Sequence, residues 1–366
     1  MDLRTGEAAL EVLDGAWDGL LDPDGGSSPS MAAAWLRPIA EEALIDGLEP
    51  LVAVARDEAG RPRAGIALSV ATVGRGPARV RLGSWLGHPR RVYQPDLLAP
   101  GGADGAAGEV LAAALGEVGG LVLHDAPWDG GAVRAARERA PWARRSPGRD
   151  SLVLDAGQPG LGRRRRDVAY EVRRATRRGA EVTVSVLSGP EEVREGVEIL
   201  LDLHRRRWTG RVDVSGFSRD EADRRMHRNS LPVAAGSGMV RLTVVREDGE
   251  PVAAIAGLVA AGGGMLYRTA AVPGPVLRGP GIVAIVATVD ALIAAGARRV
   301  DMGIGSEMHK RKLSPDPVPS TIIVAARSRA WQPALTAVVE GRRVARSRIR
   351  AVRRRVAAAR ADRGSA

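Results

Sequence analysis

The sequence predicts an α/β protein built from two copies of one unit and closed by a basic helical tail. Three observations lead there. At 366 residues the chain exceeds an ordinary domain of roughly 100 to 200 residues, so two cores are expected. With 45% hydrophobic and 27% charged residues the composition is that of a globular chain. Most tellingly, strand-like and helix-like segments recur in the same order. Residues 54–67 echo residues 245–256, with Pro62 matching Pro251, and the helix, glycine and strand that end at Asp125 echo those that end at Asp301. Such spacing fits two units of about 170 residues and not a short-period solenoid. The expected divisions are 1–157, a divergent first copy; 158–330, the copy that carries the site; and 331–366, the tail.

Each element follows from local pattern. A turn-rich stretch, residues 22–30, leads into a helix at 31–43. Apolar runs at 51–56 and 62–70 around the turn 57–60 form a hairpin, and 78–85 adds a third strand. Residues 106–118 are helical in composition and run through Gly119 and Gly120 into a short buried strand at 121–125. In the second half, 163–178 is a helix, 181–187 a strand, and 190–208 a helix whose first turn holds Glu191 and Glu192, where the helix dipole favours acids. Strands at 239–245 and 251–259 flank the turn Glu247-Asp248-Gly249. A strand at 265–272, a Pro/Gly loop, an apolar helix at 282–294, and strands at 298–302 and 321–326 complete the unit. From Gln332 onward a long Arg-rich helix is expected.

Composition also excludes chemistry. The chain has no cysteine, which removes disulfides, thiolate metal sites and a cysteine nucleophile. No His/Asp/Glu spacing fits a metal site, and none is expected. The first twenty residues carry acids and no continuous apolar core, unlike a signal peptide. No run of eighteen apolar residues could span a membrane, so the expected compartment is the cytoplasm.

Two segments could carry chemistry. The loop from Val272 to Gly281 lies between a strand and a helix; its glycines let backbone approach a ligand, and amides at a helix start can bind phosphate oxygens, with Arg278 adding charge. The second is Asp301-Met302-Gly303-Ile304-Gly305-Ser306-Glu307-Met308-His309-Lys310-Arg311-Lys312. Lys and Arg total 54, yet Lys310 and Lys312 are the only lysines. In a chain that otherwise uses arginine, a lysine supplies a compact point charge with a tunable pKa. The plainer alternative is a solvated loop on which both lysines happen to fall.

These residues carry a resemblance. The second half resembles the catalytic domain of the GNAT superfamily, in particular the tandem-domain acetyltransferases associated with cellulose biosynthesis and related to the Fem peptidyltransferases. It supplies the Arg-rich helix 163–178, Arg206-Arg207-Trp208, Pro251-Val252-Ala253-Ala254, Leu266-Tyr267-Arg268, Gly279-Pro280-Gly281, and the Asp301 to Lys310 run. The first half is similar to the family's divergent partner domain, including Ala34-Trp35-Leu36 and Tyr93-Gln94-Pro95-Asp96-Leu97-Leu98. The resemblance covers residues 30–330 and implies two tandem GNAT-like domains, each a mixed, mostly antiparallel sheet flanked by helices, with splayed central strands.

It further implies acyl transfer from acetyl-CoA or another acyl-CoA to an amine of a small molecule, sugar or peptide. The donor pyrophosphate would lie at Arg278, Gly279, Gly281 and Ile282, although Val276 stands where the family usually has Gln or Arg. Lys310 matches a lysine implicated in stabilising charge on the reacting carbonyl, preceded here by His309 in place of an aromatic. Glu307, Asp301 or His309 could accept the amine proton, with capping of the loop the alternative for Asp301. Tyr267 and Trp208 are candidate acceptor contacts, with buried packing the alternative for Tyr267 and Tyr170.

Two further functions fit the same residues: a Fem-like transferase that takes an aminoacyl group from tRNA, and a non-catalytic GNAT-fold binding protein. The net charge of +11 is concentrated in 163–178, with eight Arg, and 342–363, with ten, leaving the rest mildly acidic. That distribution argues against DNA. The basic segments suit solvated faces, phosphate contacts with CoA or tRNA, or peripheral contact of the tail with an anionic membrane.

Overall fold

A computed structural model describes residues 1–15, 17–24, 27–73, 79–88, 92–208, 220–304, 310, 313, 317–333 and 335–336. The first half runs β1 (Asp2–Thr5), α1 (Ala8–Gly15), α2 (Ala33–Ile45), β2 (Glu49–Arg56), β3 (Pro62–Val73), β4 (Val80–Trp85), α3 (Asp104–Glu117), β5 (Gly120–Pro127), α4 (Gly131–Arg139), β6 (Ala143–Pro147) and β7 (Ser151–Asp155). The second runs α5 (Pro159–Arg177), β8 (Val182–Leu187), α6 (Pro190–Trp208), α7 (Glu221–Gly236), β9 (Val240–Glu247), β10 (Glu250–Ala260), β11 (Gly263–Ala271), α8 (Pro280–Ala294), β12 (Arg299–Ile304), β13 (Pro317–Val318) and β14 (Ser320–Ala326).

These strands form two seven-stranded sheets, β1-β2-β3-β4-β5-β14-β6 and β13-β7-β12-β11-β10-β9-β8. Each copy is an antiparallel meander followed by a helix and one parallel strand: β4 pairs β5 in parallel, and β11 pairs β12 in parallel. Mixed sheets flanked by helices are what the resemblance implies. The hairpins form where the turn chemistry demands them. Asp248 and Gly249 both have positive φ, 51° and 82°, the pairing a two-residue turn between twisted strands needs.

Sheet membership does not follow the expected division at 157/158. Strand β14, inside the expected second domain, lies between β5 and β6 of the first sheet, and β7, inside the expected first domain, pairs β12 in the second. Each copy lends one strand to the other. The physical reason is that β5 and β12 each leave an open antiparallel edge that no following strand of the same copy fills.

The core is shared in the same way. One apolar cluster joins Trp35, Leu36 and Ile39 of α2 to Val193, Val197 and Leu200 of α6, Met226 and Leu231 of α7, and Met265 and Tyr267 of β11. The opposite face of the second sheet, with Val245, Ile255, Leu266 and Val300, packs beneath α8 through Val283, Val289 and Leu292. Alternation along the strands sends successive side chains to these two cores. Polar groups also bind the copies: Glu42, only 3% exposed, accepts from Arg225 at 2.8 Å and from Asn229 at 2.9 Å. Among the described residues no helix is long and apolar enough to cross a membrane. The tail beyond residue 336 lies outside the described residues.

Candidate active site

The parallel pairing of β11 with β12 covers only Gly263–Arg299, Gly264–Val300 and Met265–Asp301. Beyond it β11 stays with β10 as far as Ala271, while β12 continues alone on that side to Ile304. Register shifts at the point of departure: Ala256 pairs Arg268 and Gly257 pairs Leu266, so Tyr267 is a bulge residue. A bulge bends its strand and re-aims a side chain. Residues 266–271 and 302–304 are thus the walls of a slot at the carboxyl ends of two parallel strands, the place where an α/β sheet most readily takes a ligand.

On one side of the mouth lies the loop that runs from β11 into α8. Gly279 caps α8 in the left-handed region, φ 66° and ψ 51°, with Pro280 as the first helical residue. A side chain at Gly281 would press on the Ala271 Cβ at 3.2 Å. The loop is fastened from below. Glu247, 2% exposed at the end of β9, accepts the amides of Val276 at 2.7 Å and Leu277 at 3.0 Å through one carboxylate oxygen. Its other oxygen leaves no room for a side chain at Gly274. From α5, Arg174 donates to the Val276 carbonyl at 2.9 Å. Arg178, the loop residues 273–277, Arg278, Gly279 and Pro280 line a depression of about 600 Å³. Exposed arginines over a glycine loop suit an anionic ligand. Ile282, in the first turn of α8, is half-buried.

On the other side stands the end of β12. Asp301 is 7% exposed, and one oxygen accepts the Gly303 amide at 2.8 Å. Burial pushes its carboxyl up to about 6, against the opposing pull of that amide, the Lys310 charge and Ser151. Ser151 of β7 is in turn bonded by Gln94 from the first half. Gly303 takes φ 78°, and Lys310 folds back to donate to the carbonyls of Ile304 at 3.0 Å and Gly303 at 3.5 Å. Asp301 therefore anchors the strand end on which Lys310 is held. Glu307 and His309 lie outside the described residues, as does the side chain of Trp208, which closes α6. Among the described residues no group of three or more acids and histidines could hold a metal ion.

The sequence names Tyr267 but not the cluster that gathers around it. Between the copies, Tyr267 (3% exposed) donates to His227 Nε2 at 2.7 Å, and the His227 Nδ1 lies 2.5 Å from the Asp223 carbonyl. Arg268 reaches His227 Nε2 at 3.3 Å and the hydroxyl of Tyr93, and its guanidinium lies 4.6 Å from the Tyr267 ring centroid. Trp35 meets the Tyr267 ring edge-on at 4.8 Å. His204 adjoins them; burial, with the charges of Arg268 and Arg207, pushes its imidazole down to about 4. Burial opposes the Arg268 charge, but Tyr267, Tyr93 and Asp223 outweigh it and raise that guanidinium further. The signal available in the sequence was scarcity: of three tyrosines, two converge here. The third, Tyr170, is 53% exposed, which removes a buried packing role for it.

Comparison with known proteins bears on the family domain and the fold. Residues 162–311 match the family described as acetyltransferase (GNAT) domain. No curated protein matches the sequence. Among solved structures, FemX superposes with a TM-score of 0.61 at 11% identity, over 92% of this chain and 100% of its own. The C-terminal domain of a putative lysylphosphatidylglycerol synthetase from Agrobacterium fabrum gives 0.56 at 13% identity, over 91% of this chain and 95% of its own. The structure of L-PGS from Bacillus licheniformis gives 0.53 at 14% identity, over 90% and 96%. At such identities the likeness is one of fold, and it extends over both copies. Residues 162–311 are thus matched by the GNAT acetyltransferase domain family, and the fold over both copies is similar to that of FemX.

Proposed function

We propose that the protein is an N-acyltransferase that moves an acyl group from acyl-CoA to a primary amine of a small molecule, sugar or peptide. The observation that carries this reading is the slot between β11 and β12, with a clamped glycine loop at one lip and a held lysine at the other. The loop, Arg278, Gly279, Gly281 and Ile282 with Arg178 beside them, would take the donor's phosphates. The acyl end would enter the slot. When the amine attacks the thioester carbonyl, a C–N bond forms and negative charge gathers on the carbonyl oxygen, where a preplaced cation stabilises it. Lys310 is that cation, and Asp301 fixes the backbone from which it works.

Calorimetry with CoA and acetyl-CoA tests the donor: saturable binding is expected, and no heat at millimolar donor would sink the reading. The same measurement applies to the clamp. Glu247→Ala would leave the amides of Val276 and Leu277 buried without an acceptor, a loss of about 1–3 kcal/mol, and should lower both melting temperature and CoA affinity. Glu247→Gln keeps a carbonyl oxygen for those amides and should retain most of both.

A second reading has its own observation. Arg165, Arg166, Arg173, Arg177 and Arg178 are exposed along α5 beside the donor loop, a surface that could follow a nucleic-acid backbone. One structural relative is described as the C-terminal domain of a putative lysylphosphatidylglycerol synthetase, and an aminoacyl donor on tRNA would use such a surface. Steep salt dependence of tRNA binding, in a protein that gives no heat with CoA, would favour it.

A further inference from the structure

Acyl transfer to an amine requires a group that removes the amine proton within hydrogen-bond reach of the slot. Asp301 is poorly placed for this, since one of its oxygens is held by the Gly303 amide and the carboxyl faces Ser151 and Lys310, the groups of the strand end that it anchors. His204 is a weak base, pushed down by burial and by the Arg268 and Arg207 charges, whereas His227, which Arg268 also faces, has the Asp223 carboxylate 4.0 Å away. On the wall that faces the first copy, however, the bulge presents Tyr267 to His227. We propose that Tyr267 and His227 form the proton-accepting pair for the acceptor amine, an assignment that rests on the acyl-transfer reading.

The geometry sets the direction of proton flow. The Asp223 carbonyl can only accept, so the His227 Nδ1 beside it carries the hydrogen, and in the neutral ring Nε2 bears the lone pair. Tyr267 therefore donates to Nε2, and so does the more distant Arg268 Nε, which cannot accept. The acceptor arrives as an ammonium and gives a proton to the Tyr267 oxygen as the Tyr267 hydroxyl hydrogen passes to Nε2. The neutral amine so formed attacks, the C–N bond forms, the C–S bond breaks, and the thiolate leaves with the electron pair and takes the second nitrogen proton. The imidazolium so formed keeps Nδ1–H on the Asp223 carbonyl, with an Asp223 carboxylate oxygen 4.0 Å away to balance its charge. Arg268, over the Tyr267 ring, balances negative charge on the phenol oxygen during the transfer. Solvent then takes the proton from His227, so that one nitrogen proton ends in solvent and the other on the departed thiol.

The charged and titratable groups around the pair come from four elements: His204 and Arg207 of α6, Asp223 of α7, Arg268 of β11, and Tyr93 from the first copy. Tyr93 and Arg268 are only half-buried. They form the edge of the cluster past which an amine would reach Tyr267.

The experiment uses the full chain with acetyl-CoA and two probe amines, following thiol release. Ethanolamine must lose a proton to be acylated, whereas hydroxylamine is largely unprotonated at neutral pH and strongly nucleophilic. Tyr267→Phe and His227→Gln should each lower kcat for ethanolamine by about 100-fold, lower it far less for hydroxylamine, and leave the acetyl-CoA KM within about twofold. Equal losses with both amines, a change confined to KM, or retained kcat would overturn the assignment; should Tyr267→Phe fail to fold, His227→Gln decides alone. A wild-type protein that binds CoA but turns over neither amine also overturns it. Absence of CoA binding instead removes the donor reading, and the pair's role with it.

Discussion

Replacing Lys310 by Ala is expected to lower acetyl-CoA-dependent transfer by roughly 10²–10³-fold, the loss typical when one preplaced donor to a developing oxyanion is removed. The side chain is tethered by the carbonyls of Gly303 and Ile304 and not spread in solvent, so its ammonium needs no reorganisation as charge develops. CoA affinity should hardly change, because the phosphates would be met at the other lip by the loop and its arginines. The fall should therefore appear in kcat. Lys310→Arg should restore little, since a planar guanidinium cannot occupy the place of a compact ammonium between two carbonyls. One indirect effect must be separated. The lysine charge holds the Asp301 carboxyl below where burial alone would place it, so the Ala variant should leave Asp301 more readily protonated. Circular dichroism with CoA calorimetry on the variant checks that the strand end survives. A variant as active as the parent would remove Lys310 from the chemistry. A binding protein without activity would show no transfer in either form and unchanged partner affinity.

How much of this was legible in the sequence depends on the range of the contacts involved. Local signals worked: α6 spans the residues its pattern predicts, Pro190–Trp208, and the β9–β10 turn follows its Asp-Gly pair. The donor loop was legible because glycine and proline specify backbone directly. Three kinds of feature were hidden. Helix α7 opens on the Asp220 cap and acids but carries Arg224, Arg225 and Arg228 in its first half and contains Pro232, so its buried face, Met226, Ser230, Leu231 and Ala234, declares itself only once α2 and α6 lie against it. Glu247 reads as a turn residue, yet β9 extends to include it and turns its carboxylate beneath the loop. The Tyr267 cluster assembles residues 93, 204, 227 and 267, whose separation along the chain carries no shared pattern. Pairing partners were equally hidden, because sequential strands are expected to neighbour one another, whereas β7 and β14 trade places.

That exchange leads to the other large expected effect: the two copies should not fold apart. Residues 1–157 alone would lack β14, leaving a gap between β5 and β6 where Ile323 and Ala325 are fully buried and Val324 nearly so. Strand β6 would have no partner in its sheet, and the apolar cluster would lose its contributions from α6, α7 and β11. Residues 158–366 alone would lack Leu152 and Leu154, both fully buried, and with them Ser151 beside Asp301. Each fragment would expose apolar surface and open strand edges together, the combination that favours aggregation. Produced singly, each should give a dispersed, non-cooperative melt; produced together, they should copurify as one complex that melts cooperatively. A fragment 1–157 that unfolds in a sharp transition by itself would refute this. If the fragments do complement one another, restored transfer activity should track the return of β7 to the edge of β12, because the strand that steadies Asp301, and through it Lys310, is supplied by the copy with no slot lysine of its own.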